Sequence, residues 1–318
     1  MLLNTAKSRA NSPARPNKIV TAAEAVRLIH DGNTVATGGF VGIGFAEGVA
    51  IALEQRFLDS QAATGIGSPR QLTLVYAAGQ GDRALRGVNH FGHAGLLKRV
   101  IGGHWISAPR LGALVLQNEI EAWNLPQGVI AHLYRAIAGG KPGVVTRIGL
   151  HTFVDPRHDG GRLTPRTAQS AIEPRVQRVT LGGEEQLFYP SLPIDVALLR
   201  ATTADENGNL SCEQEPFHHD LLAIAQAARN SGGRVIAQGT PDEVAADDVS
   251  ADAAVTEAQL LRDLRLLVGA DAILVIRVAV EGFSQAEAGV ELGLSEAAAR
   301  KRYQRATQRL RDALQRIH

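Results

Sequence analysis

Between Asp31 and Ala46 the sequence runs DGNTVATGGFVGIGFA, and glycines at positions 38, 39, 42 and 44 mark a turn whose main chain a ligand can approach. Glycine takes positive φ readily and puts no Cβ in the way. Thr34–Thr37, just before the turn, predicts a short buried strand, and Phe45–Leu58, just after it, an apolar-periodic helix. A helix beginning beyond such a turn offers unpaired N–H groups and a partial positive charge, which suits an anionic group. A tight strand-to-helix connection without a ligand uses the same glycines. Two nucleotide signatures do not fit: Gly42, Gly44 and Gly48 give G-x-G-x-x-x-G, one residue too long for the dinucleotide fingerprint, and no Lys-Ser/Thr pair follows for a P-loop.

Other residues carry candidate chemistry at looser spacing. Gln127 and Gly128 open a helix, where an amide side chain and free N–H groups can take up a carbonyl oxygen; an ordinary helix start reads the same way. Gly79 and Gly81 form a second glycine-bearing turn, followed by Asp82, Arg83 and Asn89. Glu47, at the start of the first helix described, is placed to complement the helix dipole. His90, His93, His104, His151, His158, His218 and His219 are numerous enough for a metal set. None has H-x-x-x-H or H-E-x-x-H spacing with a partner cysteine, so no metal site is expected. The single cysteine, Cys212, excludes an internal disulfide framework and suits a reducing cytoplasm.

The elements that must position these residues alternate from Lys18 to Gln238, short apolar runs with helical patterns, the rhythm of an α/β sheet. Strands are predicted at Leu72–Ala77, Arg99–Gly102, Gln177–Leu181, Val196–Ala201 and Arg234–Gln238, and helices at Ala22–His30, Pro109–Gln117, Gln127–Ala138 and Phe217–Arg229. Gly149–Thr167, rich in Gly, Pro, Arg and His, reads as a long loop of the kind that is often functional.

With 318 residues, 45% of them apolar, the chain can form one large or two modest domains, and no apolar run approaches the ~20 residues that span a bilayer. Residues 1–17 carry Lys7, Arg9 and Arg15 without an acid and lack the apolar core of a secretory signal, which predicts a disordered leader. The net charge of +1 argues against a chain-wide polyanion binder, but its distribution is uneven. Gly239–Leu294 holds eleven acids and three bases, whereas Ser295 onward holds seven bases and two acids, a net of +5. Residues 239–257 read as an acidic linker, and Leu260–Leu267 and Asp271–Glu281 as helical. Ser284 and Glu287 form a capping box, Ala288 and Leu292 an inner face, and Gly293 a turn. Ser295 then caps a helix bearing Arg300, Lys301, Arg302, Arg305 and Arg309. Residues 258–318 thus read as a helix-turn-helix able to enter a major groove, or as a basic helical hairpin with no specific ligand.

The first glycine run resembles the signature of the first half of family I coenzyme A transferases: Asp31, Gly32, Val35, Ala36, Gly38, Gly39, Phe40 and Gly44 fit, while Thr37 replaces an apolar residue and Ala46 a proline. The resemblance, to the acetate or propionate type, continues through Tyr76–His93, Asn124–Gly143, Thr152–Gly161, Glu184–Pro190 and Ala201–Glu215, with Gln61–Ile66 as a small loop insertion. It implies an open parallel-sheet α/β domain over residues 18–238 that moves CoA between a short-chain acyl-CoA and a small carboxylic acid, with no metal or redox cofactor. Gly38, Gly39, Phe40, Gly42, Gly44, Gly79 and Gly81 are the implied CoA- or substrate-binding residues, Asp82, Arg83 and Asn89 candidates to line the acyl pocket, and Gln127 and Gly128 the oxyanion donors. In that family a glutamate of the second, homologous half is the nucleophile, forming an acyl-glutamyl anhydride and then a glutamyl-CoA thioester. Glu206-Asn207-Gly208 imitates its surroundings, but Asp205, Gly208 and Asn209 match a turn within the first half, so a complementary half is expected to supply the nucleophile and the chain alone to show no transfer.

Gly282, Phe283, Ser284, Glu287, Ala288, Leu292, Gly293, Leu294, Ser295, Arg300 and Arg302 resemble region four of bacterial sigma factors, with Gly289, Ala298 and Ala299 as departures. That resemblance implies DNA or RNA polymerase as a partner, through Ser295, Arg300, Lys301, Arg302 and Arg305. An acyl-CoA-sensing transcription regulator, or a fusion of two truncated genes, is the alternative to a half-enzyme.

Overall fold

The computed structural model describes residues 18–169, 176–205, 207–216, 218–241, 268–279 and 284–315, and the chain divides into two compact units, residues 1–246 and 247–318. In the first, the strands are β1 (Thr34–Thr37), β2 (Leu72–Tyr76), β3 (Leu97–Gly102), β4 (Glu121–Asn124), β5 (Gly143–Thr146), β6 (Gln177–Leu181), β7 (Glu184–Pro190), β8 (Val196–Ala204), β9 (Leu210–Ser211) and β10 (Arg234–Pro241). The helices are α1 (Ala22–Ala25), α2 (Glu47–Thr64), α3 (Pro109–Leu116), α4 (Gln127–Ala138), α5 (Pro165–Ala168) and α6 (Leu221–Asn230).

The main sheet runs β10-β8-β1-β2-β3-β4, all parallel, with β9 antiparallel on β8. Its strands alternate between two buried faces, which is why they read as continuous apolar runs. Val35, Leu74, Val100 and Leu198 pack with α2 and α3 through Leu53, Phe57 and Leu111. Ala36, Val75, Ile101 and Ala197 pack with α4 and α6 through Ile130, Leu133, Ile224 and Ala227. From β1 the chain builds outward through β2, β3 and β4, then returns to place β8 and β10 on the other side, so β1 and β8 form the switch point of the sheet.

Four departures from the sequence expectations have local causes. Strand β4 begins with a buried glutamate that reads as polar; Arg99 Nε donates to Glu121 Oε2 at 2.6 Å, which lets the carboxylate enter the sheet. Residues 61–64 extend α2 rather than forming a loop, and Gly65 ends the helix with φ of 76°. Gly143–Thr146, Gln177–Leu181 and Glu184–Pro190 form a second layer in which β5 and β6 flank β7 antiparallel, a small sheet whose β5 and β7 the apolar pattern does not reveal. The acidic stretch starts as structure too, since β10 continues through Pro241.

The long segment after β5 closes the open edge of β4. Asn124 N donates to Gly161 O, Leu163 N to Ala122 O and Ala122 N to Thr167 Oγ1, at 2.7, 2.9 and 2.8 Å. Its centre is the fully buried carboxylate of Asp155, which accepts from the amides of His151 and Arg157 and from the Arg157 guanidinium.

In the second unit, helix α7 (Ala272–Ala279) precedes α8 (Gln285–Glu291) and α9 (Glu296–Gln315). Ser284 and Glu287 make reciprocal capping bonds, Gly293 takes φ of 67°, and Ala288 and Ala299 pack with Leu274. Residues 1–17, Glu206, Phe217 and the predicted helix 260–267 lie outside the described residues.

Asp155 supplies a stability test. The Arg157 guanidinium, against the cost of burial and with the help of two amides, holds its carboxyl well below the usual carboxylate range. A depressed folded-state pKa stabilises at pH above the unfolded value of ~3.9 and loses that contribution as pH falls through the folded one. Asp155→Asn is therefore expected to lower the thermal midpoint by several degrees at pH 7, with the gap to wild type closing below about pH 4; circular dichroism melts over that range check it.

Candidate functional site

Strands β1 to β4 all end on one side of the sheet, and the turns leaving them touch one another in sequence. Val41 N donates to Gly79 O at 2.6 Å and Gly81 N to Val41 O at 2.7 Å, joining the turn after β1 to the turn after β2. Beneath this seam Gln80 is buried: its Oε1 accepts from Thr37 Oγ1 at 2.6 Å, and its Nε2 donates to Thr37 O and Gly39 O. The turn after β2 in turn lies on the turn after β3. A Cβ on Gly79 would stand 2.4 Å from His104 Nδ1, and one on Gly81 2.3 Å from Ser107 O. The turn after β3 abuts the start of α4, because a Cβ on Gly103 would lie 2.6 Å from Gln127 Cγ. The crevice outside the carboxyl ends of parallel strands, next to a switch point, is where open α/β sheets bind ligands.

The glycines divide by what they do for the fold. Gly39, Gly44 and Gly81 have positive φ, Gly38 is pressed against Leu221, and Gly79 is pressed against His104, so protein packing accounts for them. Gly42 is different: it is exposed, its φ lies outside the left-handed region, and nothing stands within 4 Å of its missing Cβ. Gly128 likewise meets nothing within 4 Å, and a glycine inside a helix costs roughly 1 kcal/mol relative to alanine. It follows Gln127 in the first turn of α4; both are exposed, and no side chain caps that helix. The same end carries exposed apolar side chains: Phe40 (43%), Val41 (46%), Leu85 (56%) and Ile106 (71%).

The other sequence candidates separate. Asn89 is fully buried, donating to Arg86 O and Ser107 O and accepting from Arg110 N, so it lines no acyl pocket; its side chain builds the segment after the second turn. Asp82 is spent on the amides of Ala84, Leu85 and Arg86, while Arg83 is exposed. Three of the histidines lie apart: His219 lies against Phe40, His151 beside Arg157, and His104 behind Gly79. Among the described residues no group of three or more His, Cys, Asp or Glu is arranged to hold a metal ion. Nor is any helix of these residues long and apolar enough to cross a membrane.

Below the second turn lies a cluster the sequence reading did not assemble. Glu47 accepts from Gly87 N at 3.0 Å and contacts His90 Nε2 at 2.9 Å. Glu54 contacts His90 Nδ1, His93 Nε2 at 2.6 Å and Arg110 Nη1 at 3.0 Å. The seven-residue spacing of Glu47 and Glu54, two turns of one helix face, was the available signal. In the second unit Arg300, Lys301, Arg305 and Arg309 are exposed, whereas Arg302 Nε donates inward to Asp271 at 2.5 Å, and Ser295 Oγ caps α9 by accepting from Ala298 N. Arg302 is thus an internal tie.

A family model for coenzyme A transferase matches residues 19–256. The caffeate CoA-transferase of Acetobacterium woodii is 42% identical over 221 residues, covering 70% of this chain and 40% of that protein. The acetate CoA-transferase subunit alpha of Escherichia coli K12 is 28% identical over 211 residues, covering 65% and 81%. Crystal structures of the acyl-CoA transferase YdiF from Escherichia coli O157:H7, as apoenzyme and in a thioester complex with CoA, are similar at TM-score 0.66 and 37% identity, covering 73% of this chain and 44% of that one. The chain therefore spans less than half the length of the caffeate and YdiF enzymes.

Gln80 and Gln127 make a test of which amides hold the site and which face outward. Gln80→Ala leaves the Thr37 hydroxyl and two carbonyls unpaired and is expected to cost about 1–3 kcal/mol of stability. Gln127→Ala, at an exposed position, is expected to stay within about 0.5 kcal/mol of wild type in the same denaturant titration.

Proposed function

We propose a function from one premise: the chain belongs to the coenzyme A transferase family. Its α/β domain, residues 18–238, receives a short-chain acyl-CoA and then a small carboxylic acid in the crevice bordered by the Gly38–Gly44 turn, the Gly79–Gly81 turn and the start of α4. A glutamate carboxylate attacks the thioester carbonyl and expels CoA thiolate, leaving an acyl-glutamyl anhydride. The thiolate then attacks the glutamyl carbonyl of the anhydride, releasing the first acid and forming a glutamyl-CoA thioester; the acceptor acid runs the same two steps in reverse. The exposed N–H groups at the start of α4 and the Gln127 amide stabilise the developing oxyanion. CoA enters as substrate, and these steps draw on no metal or redox group.

A complementary half supplies the glutamate in this reading. Supporting it are the share of each relative that is matched and the exposed apolar side chains of Phe40, Val41, Leu85 and Ile106 on the segments that follow β1, β2 and β3, which a partner or ligand would cover. The observation that carries the binding surface is Gly42, whose lack of a side chain the fold does not require. Gly42→Val is expected to leave the melting temperature within a degree or two of wild type and to weaken CoA binding at least tenfold by calorimetry. Equal affinity in the two proteins removes the first turn from the site.

A second reading concerns α9. Four bases on this helix, Arg300, Lys301, Arg305 and Arg309, are exposed after a tight turn, a footprint for phosphates of DNA, with the first domain then acting as an acyl-CoA sensor and the tail as a sigma-like regulator that meets DNA or RNA polymerase. Binding to duplex DNA is then expected to weaken steeply between 50 and 200 mM salt, and Arg300→Ala with Arg305→Ala to lower both affinity and salt slope. Unchanged affinity in the double variant ends this reading.

A further inference from the structure

The clustered side chains beneath the second turn have a protonation requirement of their own. Both nitrogens of one imidazole face carboxylates: Nε2 faces Glu47, and Nδ1 faces Glu54. A neutral imidazole donates from one nitrogen only, whereas an imidazolium donates from both. With the ring neutral, one of the two contacts sets a lone pair against a carboxylate oxygen.

The two carboxylates belong to one helix, and that helix starts three residues after Gly44. Glu47 is its first residue, and its other oxygen accepts the Gly87 amide at 3.0 Å. Gly87 cannot carry a side chain, since a Cβ there would lie 2.7 Å from Gln80 O and from Gly81 Cα. His90 thus stands where the helix leaving the first turn meets the segment leaving the second. We infer that His90 is a positioning residue: as an imidazolium gripped by Glu47 and Glu54, it locks the Gly38–Gly44 turn to the Gly79–Gly87 segment and so sets the spacing of the surface that receives acyl-CoA. This rests on the assignment of the two turns to acyl-CoA binding.

The charged and titratable groups around His90 are Glu47 and Glu54 from α2, Arg110 from α3, which reaches Glu54 at 3.0 Å, and His93 from its own segment. Burial disfavours the charged ring, but hydrogen bonds and attraction from Glu47 and Glu54 outweigh it and raise the His90 pKa above its ordinary value. Burial also acts against an ionised Glu54, and the bonds from His90 and His93 again prevail, so its pKa is lowered. A raised folded-state histidine pKa means the clasp is complete below about pH 6.5 and is lost as pH rises through the folded value.

The test follows imidazole and glycine resonances of the full chain by NMR from pH 5.5 to 9, with CoA affinity measured calorimetrically across the same range. The expected result is a common midpoint above 6.5 for the His90 ring and the amides of Gly39, Gly44, Gly79, Gly81 and Gly87, with CoA binding weakening several-fold through it. His90→Gln, folded at all these pH values, is expected to abolish that amide titration and the associated loss of affinity; titration of the phosphates of CoA is common to both proteins and cancels in the comparison. Glu47→Gln, which keeps an oxygen for the Gly87 amide, is expected to lower the His90 midpoint, and it serves if His90→Gln does not fold. Glycine amides that ignore the His90 titration overturn the inference. Wild type that binds no CoA at any pH overturns the binding assignment instead, and the amide titration then still decides whether the clasp exists.

Discussion

Everything at the carboxyl end of this sheet depends on close approach between successive turns. Parallel strands about 4.8 Å apart deliver their loops side by side, and bulky loops would splay. Here Gly79, Gly81 and Gly103 give up their side chains so that the turns after β2 and β3 can lie against His104, Ser107 and Gln127. Gln80 then replaces solvent beneath the seam, satisfying the Thr37 hydroxyl and the carbonyls of Thr37 and Gly39. Without it, a buried hydroxyl and carbonyls would each lose their partner, a penalty that a rigid surface for a polar ligand must avoid.

The same economy extends to the helix behind the turns. Gln238 Oε1, from β10, accepts the Gly48 amide at 2.7 Å and so occupies the first turn of α2 from the far side of β8. Glu47 and Glu54 tie the other side of that helix to His90, His93 and Arg110. The start of α2 is therefore committed to the fold, and its dipole is not open to a ligand in the way the sequence suggested. The start of α4 has no side-chain cap and is exposed, which makes it the better place for an oxyanion.

Much of the main sheet was legible in the sequence because its strands are buried on both faces: Thr34–Thr37 falls at the expected residues and Leu72–Tyr76 within one of them. The exposed strand Gln177–Leu181 of the small sheet and the amphipathic helix Gln127–Ala138 were also placed as found. What escaped was set by contacts distant in sequence. Strand β4 hides behind Glu121 until Arg99 is placed beside it, and β7 behind its two leading glutamates. The long loop that the sequence marks as functional closes an edge strand, a task visible only once β4 exists. In the site, the glycine positions were legible but not their reasons: packing accounts for Gly79 and Gly81, and only Gly42 and Gly128 are left for a ligand. The His90 cluster joins residues 36 to 56 positions apart, beyond any local pattern.

The central claim is that this chain offers the acyl-CoA surface and that another chain brings the nucleophile. Intact-mass spectrometry of the purified protein after incubation with acetyl-CoA or propionyl-CoA tests it most directly. The expected result is an unmodified mass from a folded protein that binds CoA, with no transfer to a carboxylate acceptor. A mass increase matching a glutamyl-CoA thioester, abolished by Glu206→Gln, would place the nucleophile within these 318 residues and contradict the claim.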